Sequence, residues 1–151
     1  MVDIEKAAGA ILYRQSLPSR EFLIIQSSRE RCQIAPDIFV EEFWEFPKGR
    51  VEFGETGEES AKREVAEETG ILELEFVRDF LYKVTYATYR DGKSVAKEVD
   101  MYLAEASFPR VELSDEHKNF EWLAYDEALQ RVTLSEMKKA LKRAFEYIEG
   151  M

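Results

Sequence analysis

One segment, Gly49 to Ile71, constrains this chain more than any other. Thr56 and Glu59 have capping-box spacing, with Thr56 as N-cap and Glu59 three residues on, which predicts a helix start. Gly70 is a natural stop, because glycine takes the left-handed backbone that ends a helix at little cost. With Glu64 at the origin of a helical wheel of about 100° per residue, Glu67 falls at about 300° and Glu68 at about 40°. Three carboxylates therefore share one arc. Ala61 and Val65 lie beside it and can dock the helix on a core. Arg63 lies four residues from both Glu59 and Glu67 and can pair with either.

Like charges at this spacing repel by about 0.2–0.5 kcal/mol per pair in an isolated helix. A solvated face normally intersperses lysine on the same side, whereas Lys62 and Arg63 fall off the arc. A turn running from Lys48-Gly49 to Gly54-Glu55 leads directly into the helix. Clustered carboxylates near a backbone carbonyl suit a hard divalent cation such as Mg²⁺, which prefers oxygen ligands. On the residues alone, a solvated acidic face and a cation seat both stay open.

The flanks indicate the fold class. Strands are expected at Ala7–Arg14 and Glu21–Ser27, joined by a turn through Ser16–Arg20. Ser28–Glu42 reads as a polar loop punctuated by Pro36, and Phe43–Phe46 as a short aromatic stretch. Beyond the carboxylate helix, strand-like runs cover Glu73–Val77, Phe80–Tyr89 and Ser94–Ala106. Asp91-Gly92 gives a hairpin signal between the last two. Phe120–Tyr125 reads as a final strand and Asp126–Gln130 as a short helix. A last helix follows, with Thr133 and Glu136 at capping-box spacing. Leu134, Met137, Leu141, Ala144, Phe145 and Ile148 form its apolar face, and Lys138, Lys139, Lys142 and Arg143 its solvated one. The expectation is one domain over residues 1–151, of α/β class, a mixed sheet flanked by helices.

Composition narrows the function. The chain has 151 residues and a net charge of −10, with 45% hydrophobic and 13% aromatic residues. That is enough apolar surface for a core, which argues against disorder. The acidic balance argues against a general nucleic-acid binder and against an anionic-membrane binder. A polyanion remains possible as substrate if metal ions stand between the two. Half of the net charge sits in seventeen residues, since Glu52–Glu68 holds seven Glu against Lys62 and Arg63. A lone Cys32 excludes an intrachain disulfide, and a lone His117 excludes a Cys/His zinc cluster. The apolar stretch Ala7–Tyr13 is too short for a signal core or a membrane span, so a cytoplasmic protein is expected.

The segment also resembles a known family. Gly49, five residues, Glu55, seven residues, then Arg63-Glu64-Val65-Ala66-Glu67-Glu68-Thr69-Gly70-Ile71 meets every specified position of the Nudix hydrolase signature. By simple frequencies such a match arises by chance in roughly one chain in a million. The resemblance implies an α/β/α sandwich with a loop-helix-loop that binds divalent metal, Mg²⁺ or alternatively Mn²⁺, and hydrolyses a diphosphate linked to another moiety. By position, Glu67, Glu68 and the Lys48 carbonyl are the implied metal ligands, and Glu64 is a ligand or the general base. Arg63 and Glu55 are implied to hold the loop and orient the carboxylates.

Outer segments resemble, more narrowly, the asymmetrical diadenosine tetraphosphate hydrolases. They include Ala7-Ala8-Gly9-Ala10, Trp44-Glu45-Phe46-Pro47-Lys48-Gly49, Tyr102-Leu103-Ala104-Glu105 and Leu113-Ser114-x-Glu116-His117. The implied reaction is diadenosine tetraphosphate to ATP and AMP. Other nucleoside diphosphate derivatives, such as RNA 5′ ends or nucleotide sugars, are an alternative, and a non-catalytic binding domain is a third. Tyr86 matches the family's base-stacking tyrosine, and Phe120 is the candidate for the other side of the base. Lys48 and Lys97 are candidate phosphate contacts, Glu116 a further metal carboxylate or an exposed loop acid, and His117 a structural residue or a minor phosphate contact. A small nucleotide substrate, no membrane partner and a monomer or weak homodimer are expected. The Ser28–Glu42 loop is longer than the family's and holds Arg29, Arg31 and Cys32, so it is a candidate cover for the substrate.

Overall fold

The structure, a computed structural model, describes residues 4–16 and 18–151. Residues 1–3, and Leu17 at the centre of the expected Ser16–Arg20 turn, lie outside the described residues. Strand β1 (Ile4–Gln15) runs through the middle of a mixed sheet. Strand β9 (Lys93–Ala106) lies parallel to it, in register from Ile4 opposite Ala96 to Tyr13 opposite Glu105. On the other side, β2 (Arg20–Ser27) pairs antiparallel with β1 only at Tyr13–Gln15. The two strands then part, and Trp44–Arg50 fills the gap. Within it β5 (Trp44–Glu45) bonds β2, and β6 (Lys48–Arg50) bonds β1.

Gly9 permits that insertion. It lies opposite Lys48, and a Cβ at position 9 would come 2.3 Å from the Pro47 carbonyl oxygen and 2.9 Å from Lys48 Cα. Strand β10 (His117–Ala124) extends the sheet beyond β2, and β7 (Leu74–Phe76) borders β9. Strand β8 (Tyr82–Arg90) pairs with Lys93–Met101 of β9 through the Asp91-Gly92 turn.

Period-two alternation divides the core in two. Ala10, Leu12, Leu23 and Ile25 face helix α1 (Gly57–Thr69) and pack with its Val65 and with Ile71. Ile11, Phe22 and Ile24 face the opposite layer, α2 (Tyr125–Arg131) and α3 (Ser135–Glu149), and pack with Ala128, Met137, Leu141 and Ile148. Strands buried on both faces read as unbroken apolar runs, which is why Phe22–Ile25 shows no polar alternation. This is the expected α/β/α sandwich. Among the described residues no helix is long and apolar enough to cross a membrane.

Three local expectations change, and one, the partner of Arg63, is narrowed. Ser28–Glu42 is not only loop: it folds back as a two-stranded hairpin, β3 (Cys32–Ala35) and β4 (Ile38–Val40). Strands of four and three residues are too short to show a period. The start of α3 lacks a capping box. Leu134 is its N-cap residue, with no side-chain bond, because the Thr133 hydroxyl accepts from Trp44 N at 2.8 Å instead. Arg63 pairs with Glu67 but not Glu59, whose carboxylate closes the α1 capping box. Lys138 is not simply solvated: its ammonium donates to the Leu129 and Gln130 carbonyls at the end of α2, satisfying acceptors that the helix leaves open.

Candidate functional site

The carboxylate helix forms as its sequence predicts. Thr56 Oγ1 accepts from Glu59 N at 3.1 Å, and Glu59 Oε1 accepts from Thr56 N at 2.9 Å. Such a cap contributes about 0.5–2 kcal/mol. Gly70 ends the helix at φ 74°. Ala61 and Val65 are buried, so the helix is clamped to the sheet and its rotation is fixed. That rotation carries Glu64 and Glu68 inward, Glu68 to 5% exposure, and leaves the Glu67 carboxylate 57% exposed.

Arg63 organises the loop before the helix. Its Nε donates to Glu55 Oε2 at 2.7 Å and its second nitrogen reaches Glu55 Oε1 at 3.0 Å and the Arg50 carbonyl at 2.9 Å. Its remaining nitrogen reaches Glu64 Oε1 at 2.8 Å and both Glu67 oxygens at 3.2 Å. Glu55 in turn accepts from Glu52 N at 2.8 Å. The Arg63 hydrogen bond holds the Glu55 carboxyl down to about 2, and Glu55 and Glu64 together hold the guanidinium charge firmly in place.

Glu64 extends over the turn. A Cβ at Gly49 would stand 2.0 Å from Glu64 Cδ, so only glycine leaves that carboxylate its place beside the Lys48–Gly49 backbone. Glu68 lies deeper. Burial, followed by the nearby Glu45 charge, pushes its carboxyl up to about 9. Glu64 adds to this by hydrogen bonding and by charge.

Behind Glu68, Glu45, which carries no site expectation, joins the expected site residues Lys48 and His117 in a buried polar group. Lys48 Nζ is 2.9 Å from Glu45 Oε1, and His117 Nε2 is 3.0 Å from Glu45 Oε2. Burial works against both charges of the Glu45–Lys48 pair. Lys48 and His117 nevertheless bring Glu45 down to about 2, and Glu45 holds Lys48 well above the ordinary lysine range. The i,i+3 spacing of Glu45 and Lys48 was the available signal, but in extended backbone that spacing promises no contact. His117 Nδ1 lies 3.8 Å from Glu68 Oε1 and has no hydrogen-bond partner.

These groups open on a cleft of about 750 Å³, within the range of small-molecule sites. Lys48, Glu68, Tyr86, Lys97, Glu116 and His117 all line it. Tyr86 and Lys97 are direct cross-strand partners on β8 and β9, so their side chains share a face. Burial, with the Lys48 charge adding to it, lowers the Lys97 ammonium to about 8. Burial raises the Tyr86 phenol, whose hydroxyl has no hydrogen-bond partner.

Two expectations do not assemble here. Phe120 is 41% exposed and lies opposite Ile25. It opens on a separate hollow with Gln26, Trp44 and Asn119, away from Tyr86. The phenylalanines that do line the cleft are Phe39, from the expected Ser28–Glu42 loop, and Phe43, from the short aromatic stretch. Secondly, among the described residues no three acidic, His or Cys side chains converge closely enough to hold an ion. Arg63 draws Glu55, Glu64 and Glu67 to itself, while Glu68 turns toward His117.

The donor set nevertheless fits a divalent cation. All the side chains are oxygen donors, Glu64 and Glu68 are buried acids in contact range of each other, and the glycine turn brings backbone beside Glu64. Burial holds the Glu68 carboxyl above the ordinary carboxylate range, so a cation beside it would favour its charged form.

A NUDIX domain model matches residues 4–145, and the chain belongs to the Nudix hydrolases. Bis(5'-nucleosyl)-tetraphosphatase [asymmetrical] of Rattus norvegicus is 33% identical, with 95% of each chain covered. The protein of the same name from Mus musculus is 32% identical, again over 95% of each. Among solved structures, a C. elegans Ap4A hydrolase binary complex superposes with a TM-score of 0.80 at 31% identity, covering 97% of this chain and 99% of that one.

Proposed function

We propose that this Nudix hydrolase cleaves diadenosine tetraphosphate to ATP and AMP. The observation that carries the reading is the shared cleft: Tyr86, Lys97 and Lys48 line the same cavity as Glu68 and Glu116. A dinucleoside polyphosphate needs that combination, an aromatic face for a base, cations for a phosphate chain and acids for a metal. The rat and mouse relatives carry the name of that activity. Water attacks a phosphorus away from the symmetric centre, its oxygen forms the new P–O bond, and the nucleotide on the other side leaves with the bridging oxygen.

Nudix hydrolases generally need divalent metal ions. We assign Glu64, Glu67, Glu68, Glu116 and the Lys48 carbonyl to hold Mg²⁺, with Mn²⁺ as the alternative. When bound, the cation supplies neutralisation of the phosphate oxygens and promotes ionisation of water. A carboxylate of α1, with Glu64 as the candidate, takes the proton of the attacking water. Tyr86 stacks a base, which is worth roughly 1–3 kcal/mol. Lys97 meets the phosphate chain. The Lys48 ammonium, locked to Glu45, offers its remaining donors to the same chain, and Arg63 and Glu55 hold the loop. His117 orients Glu45 and thereby Lys48.

A substrate panel in isotopically labelled water with Mg²⁺ tests this. The expected result is ATP plus AMP from diadenosine tetraphosphate, faster than turnover of triphosphorylated RNA ends or nucleotide sugars. No ATP plus AMP, with faster turnover of another member, overturns the substrate. Glu67→Gln plus Glu68→Gln is expected to abolish turnover, and undiminished turnover overturns the site.

A further inference from the structure

The cleft has a second wall that the catalytic loop does not supply. It is the β3–β4 hairpin, which bonds to itself and packs against β8. Arg29, Arg31 and Phe39 of this segment line the cleft together with Lys48 and Tyr86. The Arg31 guanidinium carbon lies 4.2 Å from the centre of the Phe39 ring. That ring remains 46% exposed.

Charge points the same way. Among the described residues, neither Arg29 nor Arg31 forms an ion pair with a carboxylate. Acids are not lacking: Glu30, Asp37, Glu41 and Glu42 lie in the same fifteen-residue segment, and the chain carries a net −10. Two arginines that stay clear of neighbouring acids and line a cleft are placed for an external anion. A guanidinium lying over an exposed aromatic ring gives a flat two-layer edge on which a base can stack.

We propose that this hairpin forms the subsite for the second nucleoside of a dinucleoside polyphosphate. Tyr86 holds one base, the Arg31–Phe39 pair holds the other, and Arg29 meets the phosphates between them. The assignment rests on the dinucleoside reading given above. It explains why a hairpin with two exposed apolar side chains, Ile38 and Phe39, lies beside the cleft: a ligand covers one of them.

The test compares diadenosine tetraphosphate with adenosine 5′-tetraphosphate, which has the phosphates but only one nucleoside. Phe39→Ala and Arg31→Ala are expected to raise KM for the dinucleotide about tenfold, with kcat changed less than about twofold. KM for the mononucleotide is expected to stay unchanged. Arg31→Lys, which keeps the charge but loses the planar stack, should behave like Arg31→Ala, and Phe39→Tyr like the wild type. Arg31→Lys also carries the test if Phe39→Ala folds poorly, which a melting curve reports. An active wild type whose variants keep the KM ratio overturns the hairpin subsite alone. Full rescue by Arg31→Lys does so too, because it leaves only a charge effect. A wild type inactive on diadenosine tetraphosphate overturns the functional reading and the subsite with it.

Discussion

The Glu64 carboxylate lies directly over Gly49, so close that a Cβ at position 49 would stand 2.1 Å from Glu64 Oε2. The obstructing atoms are the end of a flexible side chain. A methyl group at 49 therefore moves the carboxylate and leaves the backbone in place. Gly49→Ala is expected to lower kcat by on the order of a hundredfold, the scale of a misplacement of about 1 Å at a reacting centre. Its urea midpoint should stay near that of the wild type. Gly9→Ala makes the contrast, because there the methyl group meets the Pro47 oxygen and Lys48 Cα. It is expected to destabilise the fold by about 1–3 kcal/mol, the usual cost of overpacking. Equal stability losses in the two variants would contradict this division.

Arg63 acts as a fork and not as a point charge. It serves both Glu55 oxygens and the Arg50 carbonyl while also touching Glu64 and Glu67. Arg63→Ala is expected to lower kcat about 10–100-fold, the range for residues that orient metal ligands. Arg63→Lys should recover little, since an ammonium cannot reproduce the planar pairing. Because Glu55 and Arg63 work as one unit, Glu55→Gln combined with Arg63→Ala should cost much less than the sum of the two. Steady-state kinetics on the four proteins of the cycle measures the coupling, and additive losses would refute it.

Thr133 ties the start of α3 to the strand that carries Glu45. Its hydroxyl accepts from Trp44 N at 2.8 Å, and its own N–H donates to the Trp44 carbonyl at 3.0 Å. Thr133→Val keeps the shape but leaves Trp44 N–H without a partner, at an expected cost of about 1–3 kcal/mol. Thr133→Ser keeps the acceptor and should lose less than half as much. Urea unfolding of the three proteins decides it.

That same residue shows where the sequence was legible and where it was not. At α1 the capping box, the glycine stop and the shared arc of Glu64, Glu67 and Glu68 are local patterns, and local geometry honours them. At α3 the Thr133–Glu136 spacing is the same pattern, yet a strand distant in sequence claims the hydroxyl. The buried Glu45–Lys48–His117 group was hidden for a similar reason. His117 stands 72 residues from Glu45, and only the wedge between β1 and β2 brings the strands together. Tyr86 and Lys97 were individually identifiable, but their pairing follows from the β8–β9 register. Phe120 follows a bulge between His117 and Asn119, an irregularity that no local pattern announces.

Lys97 supplies the pH dependence. Its ammonium is lowered to about 8 by burial, with the nearby Lys48 adding to the effect, while Glu5 and Glu45 oppose it. A lysine meets phosphate in its protonated form, which prevails below the pKa and is lost above it. The kcat/KM for the polyphosphate substrate, which reports the free enzyme, should therefore fall as pH rises through about 8. The change should sit in KM, because the lost contact is to a phosphate already bound in the ground state. Lys97→Arg keeps its charge throughout this range, so its alkaline limb should move well above pH 8. Lys97→Met should be weak at every pH, with no limb of its own near 8. A wild-type profile flat from pH 7 to 9, or an unmoved limb in Lys97→Arg, would exclude Lys97 as the titrating phosphate contact.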